Sequence, residues 1–208
     1  MKNLIVRIIN NDDGEYSGDL RHYFRVMMGA PNVNNPYHNF RHMMHVLCSA
    51  YEGGVYEHIP QTEMRILLVA ALFHDYGHSG QMGNDALEIE RAVAGFQEHV
   101  VEKDRGIAGR IEELIRATQW PHMDNTNLPY SAKILRDADF SQSLDSVWWQ
   151  QIVFGLAAEF GIPVKEHLAR QIIFLSELKF QSDWGKKILA PKASDRVEEL
   201  RDFLEIIG

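Results

Sequence analysis

The stretch Leu67 to Asn84, reading LLVAALFHDYGHSGQMGN, constrains this chain more than any other. An apolar helix runs into His74-Asp75, His78 follows, and a glycine-rich turn (Gly77, Gly80, Gly83) closes the stretch. Polar groups at the end of a buried helix are unfavourable unless something satisfies them. Two side chains of metal-ligand type placed side by side there point to a bound metal. The rest of the chain is then expected to supply scaffold and further ligands.

The scaffold reads as helical throughout. Residues 1–17 suggest a short extended or irregular lead-in with turn chemistry from Asn10 to Gly14. A helix is expected over about 19–28, with Leu20, Phe24 and Met27 or Met28 on one face. Tyr37-His38-Asn39-Phe40-Arg41-His42 opens another to about Tyr51, with Gly53-Gly54 as its breaker. The central helix takes Thr62 as N-cap, with Glu63 suited to its positive end. Asn84 or Asp85 caps a helix to about Val101, and helical spacing continues over 103–118. Ser131 caps a short helix through Ala138, and further helices are expected over 145–160, 165–180 and 193–207. No alternating strand pattern, repeat or low-complexity tract is present. The expected fold is all-α: one compact helical bundle of 208 residues, with its motifs over about 37–141 and residues 142–208 completing a pocket.

Composition narrows the partners. With 45% hydrophobic and 24% charged residues the chain matches ordinary soluble domains. A net charge of −8 disfavours a long nucleic acid, though a small anion could still bind through metal ions. The longest wholly apolar run, Ile66 to Phe73, is too short to span a bilayer, so no membrane partner is expected. The opening MKNLIVRIIN lacks the apolar core of a signal peptide, and the single Cys48 forms no internal disulfide. A cytoplasmic location is the expectation, and the oligomeric state is left open. Cys48 has no evident activating partner in sequence and reads as packing.

Four pieces could carry chemistry. His38 and His42 share one helix face. His74, Asp75 and His78 form the second piece, Glu88 the third, and Asp137-Ala138-Asp139 the fourth. His and Asp from separate helices make a mixed N/O set suited to Zn, Fe, Mn or Mg. Each piece also has a plainer reading. The His pair could be a polar face, Glu88 part of a helix cap, and the two Asp a solvated helix end.

The combination of motifs resembles the HD superfamily of metal-dependent phosphohydrolases, whose pattern is H…HD…D. It is closest to the class I cyclic-nucleotide phosphodiesterases. That branch carries YHNxxH, here Tyr37 to His42, and A-L-x-H-D-x-x-H-x-G, here Ala71 to Gly80. Asn84-Asp85, Leu87-Glu88 through Gly95-Phe96, and Ala138-Asp139-Phe140-Ser141 also match. The turn from His78 to Asn84 differs in length, Gln119 stands where the family has an Asp, and the chain is shorter than those catalytic domains.

The resemblance implies an HD-domain bundle with a binuclear metal site between helices. His42, His74, Asp75 and Asp139 would bind a first ion (Zn, Fe or Mn), and Asp75 would bridge to a second (Mg or Mn). Two such ions can share a hydroxide and clamp a phosphoryl group. His38 would be the general acid, with His78 and Glu88 orienting metal-bound water. Tyr37 and Asn39 would border the substrate, Asn39 also helping to fix the local backbone or His38, and Gln171 with Phe174 would hold its base. His122 lies where the family carries a supporting His. The implied activity is hydrolysis of a phosphodiester in a small nucleotide, with 3′,5′-cyclic nucleotides favoured. A nucleotide phosphomonoesterase, a di-iron HD oxygenase and a non-catalytic metal-containing binding module are the alternatives.

Overall fold

The central helix α4 (Gln61–Phe73) is buried without interruption from Met64 to Phe73. A helix apolar on every side needs neighbours all round. The shell comprises α2 (Arg21–Met28), α3 (Phe40–Tyr56), α5 (Asp85–His99), α6 (Ala108–Ala117) and α7 (Tyr130–Phe140). The one charged residue in the buried run, Arg65, is fully engaged. Its guanidinium pairs with Asp104 through bonds of 2.6 and 2.7 Å and also donates to the Ser17 and Asp19 carbonyls. Tyr23 donates its hydroxyl to the same carboxylate at 2.7 Å. Such satisfaction is what allows a charge to sit in a core.

Residues 3–121 and 127–207 are described in this computed structural model, and His122 lies outside them. The described residues contain helices and no strand, which is the expected all-α class. Several local expectations are corrected. The lead-in is partly helical: α1 (Leu4–Asn10) is capped by Asn3, which accepts the Ile5 N–H, and buries Ile8 and Ile9. Gly53 and Gly54 do not break α3. A Cβ on Gly53 would lie 2.7 Å from Ile134 and 2.9 Å from the Trp184 ring, and one on Gly54 would lie 2.7 Å from Met64. These glycines let α3 approach its neighbours closely. Neither Thr62 nor Ser131 is a cap. The helices begin after Pro60 and Pro129, whose fixed φ suits a helix start, and both residues fall in the first turn.

The C-terminal third is more irregular than its periodicity suggests. The 145–160 stretch is a π-helical segment (Trp149–Leu156) running into α8 (Ala157–Phe160). After α9 (Val164–Glu177), a second π-helical segment (Gly185–Leu189) leads into α10 (Ala190–Ile206). His167 is buried on α9. No helix among the described residues is long and apolar enough to cross a membrane.

Candidate metal centre and catalytic cavity

Three helices deliver the candidate ligands to one point. His42 lies in the first turn of α3, His74-Asp75 follow the last residue of α4, and Asp139 lies near the end of α7. One ligand atom from each of the four lies within 4.8 Å of the others.

The backbone fixes how the imidazoles face. His42 donates Nδ1–H to Gln142 Oε1 at 2.8 Å, and His74 donates Nδ1–H to the Ala71 carbonyl at 2.8 Å. Each neutral ring therefore offers its Nε2 lone pair inward, and partners of this kind set the tautomer of a metal-ligating His. The two Nε2 atoms are 3.3 Å apart. Asp75 Oδ2 lies 3.1 Å from both of them, and Asp139 Oδ1 lies 3.1 and 3.4 Å away.

Two lone pairs and two carboxylates cannot be packed together without positive charge between them. Asp75 Oδ2 is buried with no hydrogen-bond partner among the described residues. The donor set thus fits a divalent cation of the Zn, Fe or Mn type. The proton affinities express the same demand. Burial works against a charged His42, but the Asp139 and Asp75 carboxylates beside it outweigh it, raising its pKa to about 9. Burial likewise opposes the charges on Asp75 and Asp139, and the two histidines hold both carboxyls well below their usual range.

A second group adjoins the first. His38, His78 and Glu159 bring ligand-type atoms within 4.8 Å of one another. The His38 and His78 rings stack with centroids 3.8 Å apart. His38 Nδ1 bonds Glu159 Oε1, while Glu159 Oε2 accepts the Tyr37 N–H at 2.6 Å and the His38 N–H at 3.0 Å. His78 Nδ1 accepts the Gly80 N–H at 2.9 Å. Burial, then the nearby His38 charge, lowers the pKa of His78. Burial tends to raise that of Glu159, but its bonds to His38 and Tyr37 bring it down. Glu159 stands out as the residue that sequence reasoning missed.

Both groups open onto one cavity of about 690 Å³. Its lining includes Tyr37, Glu88, Gln171 and Phe174, as well as His38, His74, Asp75, His78 and Asp139. The Tyr37 ring packs against those of His38 and His42, each at 4.7 Å. Phe174 sits edge-on to Trp120 and Phe140, at 5.6 and 5.2 Å. Glu88 borders the cavity with its oxygens already engaged. It accepts the Ser79 N–H and hydroxyl and pairs with Arg91 at 2.9 Å, which ties it to the glycine turn.

Asn39 is a correction to the expected substrate contacts. Its Oδ1 accepts the Arg41 and His42 N–H groups and its amide donates to the Asn35 and Pro36 carbonyls, so it caps α3 and does not line the cavity. Asp137 is likewise spent elsewhere, accepting the Gln181 and Ser182 N–H groups and the Ser182 hydroxyl. Burial raises the Cys48 thiol to about 12, leaving it a packing residue.

No family model matches the chain, and no curated protein matches it. Among solved structures it is similar to LmjPDEB1, a Leishmania phosphodiesterase solved in complex with IBMX. The identity is 16% and the TM-score 0.66, covering 98% of this chain and 85% of that one. The likeness is one of fold: the two share an all-α architecture over nearly the whole chain.

Proposed function

We propose that this protein is an HD-type, metal-dependent phosphohydrolase that cleaves a phosphodiester of a small nucleotide, with 3′,5′-cyclic nucleotides favoured. The observation that carries the reading is the adjacency of two groups of ligand-type side chains at one cavity. His42, His74, Asp75 and Asp139 converge on one side, and the His38–Glu159 pair stands beside them. A protein that used metal only for stability would have no need of the second group. The fold likeness to a phosphodiesterase supports the same reading.

His42, His74, Asp75 and Asp139 would hold the first ion, with Asp75 shared toward a second of the Mg or Mn type. Divalent ions bound there supply a hydroxide near neutral pH and positive charge for the phosphoryl oxygens. The chain's own residues supply the rest. His38, with Nδ1–H directed to Glu159, is left with Nε2 to give a proton to the departing ribose oxygen. Glu159 fixes the tautomer and stabilises the imidazolium before transfer. His78 stacks on His38 and limits its rotation. Phe174 and Gln171 offer an apolar wall and a polar contact for a base.

Among the described residues no Lys or Arg lines the cavity. This favours a singly charged diester over a doubly charged monoester, and so over the phosphomonoesterase alternative. The test is product formation from cyclic AMP, cyclic GMP and 5′-monophosphates with Mg or Mn added, with metal content measured on the same sample. Release of 5′-monophosphate from a cyclic nucleotide is expected. A metal-loaded protein acting only on monophosphates, or on nothing, would overturn the proposal.

A further inference from the structure

The loop before α3 contains a residue that no motif contains. Asn32 is 1% exposed, and its side chain joins two separate parts of the cavity wall. Its amide donates to the His38 carbonyl at 2.7 Å and to the Asp75 carbonyl at 2.8 Å. Its Oδ1 accepts the Gly77 N–H at 2.9 Å. Both amide hydrogens and the carbonyl oxygen are thereby used, and each partner is backbone of a segment that carries a candidate catalytic group.

Asn35 adds a parallel tie nearby, donating to the His78 carbonyl at 2.9 Å. The 32–38 loop is otherwise a run of turns, which alone would leave the position of His38 relative to Asp75 loosely set. Buried bonds to backbone carbonyls remove that freedom, and small displacements in a catalytic arrangement cost large factors in rate.

We infer that Asn32 is a positioning residue that sets the separation between the proton donor His38 and the metal-binding turn at Asp75. Asn32 touches neither substrate nor metal and acts through the two backbones it joins. The inference deepens the proposed function and rests on it for the role given to His38. The requirement is specific. Two donors and one acceptor in the volume of an Asn are needed, and Asp supplies only acceptors while Ser has a single donor.

The experiment compares wild type, Asn32→Asp, Asn32→Ser and His38→Ala, alone and combined, all at matched metal content. Cyclic AMP, whose leaving alkoxide needs a proton, is set against bis-p-nitrophenyl phosphate, whose phenolate does not. Asn32→Asp and Asn32→Ser are expected to lower kcat on cyclic AMP by about 10- to 100-fold. KM should hardly change, and the effect on the phenyl ester should be several-fold smaller. In the His38→Ala background the Asn32 substitution should add little further loss, because the two act on one function. Equal losses on both substrates, or losses that multiply with His38→Ala, would overturn the inference.

A readout independent of turnover separates this failure from that of the proposed function. The imidazole 15N signals of His38 should shift or broaden in both Asn32 variants while those of exposed His22 and His58 stay fixed. If wild type hydrolyses neither substrate but the His38 signals still move, the function falls and the positioning role stands. Unchanged His38 signals overturn the role whatever the activity.

Discussion

The cavity has two walls built in different ways. One is carried by α3, α4 and α7, and its candidate ligands His42 and His74 are each 1% exposed. Their ring nitrogens are held by Gln142 and by the Ala71 carbonyl. The other wall comes from the π-helical 149–156 segment, α9 and the 119–121 loop. There Trp120 is 46% exposed, Phe174 is half-buried, and Gln171 Oε1 has no hydrogen-bond partner among the described residues. A metal centre needs ligands fixed before the ion arrives, which buried helices and bonds to the outward ring nitrogens provide. A wall that selects a ligand can keep a polar atom unpaired, because the ligand completes it. His38 and Glu159 join the two, since Glu159 lies on α8, directly after the π-helical segment, and His38 lies just before α3.

The largest expected effect tests the ligand wall. Asp75→Ala should lose bound metal and all measurable turnover, because its Oδ2 faces both imidazoles at 3.1 Å. Metal analysis and cyclic-nucleotide hydrolysis on one preparation check this. A variant that kept both metal and activity would dissolve the contrast between the walls.

The joint between them comes next. His38→Ala should keep metal and lose about 10²- to 10⁴-fold in kcat on a cyclic nucleotide, the usual worth of a positioned proton donor. Glu159→Gln should lose about 10- to 100-fold, as partners that orient a catalytic group commonly do. If either substitution emptied the metal site, the pair would belong to the ligand wall and the joint would disappear.

A smaller effect concerns stability. With metal removed by a chelator, His42 is held protonated by Asp139 and Asp75, with a pKa of about 9 against 6.5 for an ordinary His. A raised pKa stabilises the fold below the unfolded value and loses that contribution as pH rises through the folded one. The Tm of stripped protein should therefore fall between about pH 6.5 and pH 9, and reloading metal should flatten the slope. An equal slope with and without metal would show that the cluster does not bind the ion.

The two walls also differed in how they could be read. His, Asp and Glu candidates on separate helices can be read from the residues, and the resemblance to the HD motifs singles out His42, His74, Asp75 and Asp139 among them. The all-α class follows from the helical apolar periodicity. Glu159 was invisible. It is a lone carboxylate at the end of an amphipathic stretch, and its partner His38 is 121 residues away. Nothing local distinguishes it from a solvated Glu. Asn32 hid for a related reason: Asn in a loop with Gly and Pro reads as turn chemistry, and only the fold places its amide between two carbonyls. Gln142 directly follows the Ala-Asp-Phe-Ser motif, but its bond to His42 spans 100 residues. Gly53 and Gly54 were misread because glycine both breaks helices and lets them pack closely, and the choice depends on neighbours such as Ile134 and Trp184.

The smallest expected effect concerns the second wall. Gln171 and Phe174 border the cavity, on a helix that does not contribute the metal-type ligands. Their removal should weaken substrate binding without touching the reacting atoms. Phe174→Ala loses a ring that now rests edge-on against Trp120 and Phe140, so part of its effect will be local loosening. Gln171→Leu is the cleaner change, because it removes an unpaired oxygen while nearly keeping volume. If a substrate N–H completes that oxygen, Gln171→Leu should raise KM by about tenfold with kcat nearly unchanged, the worth of about one hydrogen bond. It should also narrow the difference in kcat/KM between cyclic AMP and cyclic GMP, whose bases present different donors. Thermal stability should hold or rise slightly, since the substitution removes a buried polar atom without a partner. The opposite pattern, a falling kcat at constant KM, would mean that the second wall acts on the proton donor or the metal ligands, and that the cavity works as one rigid unit.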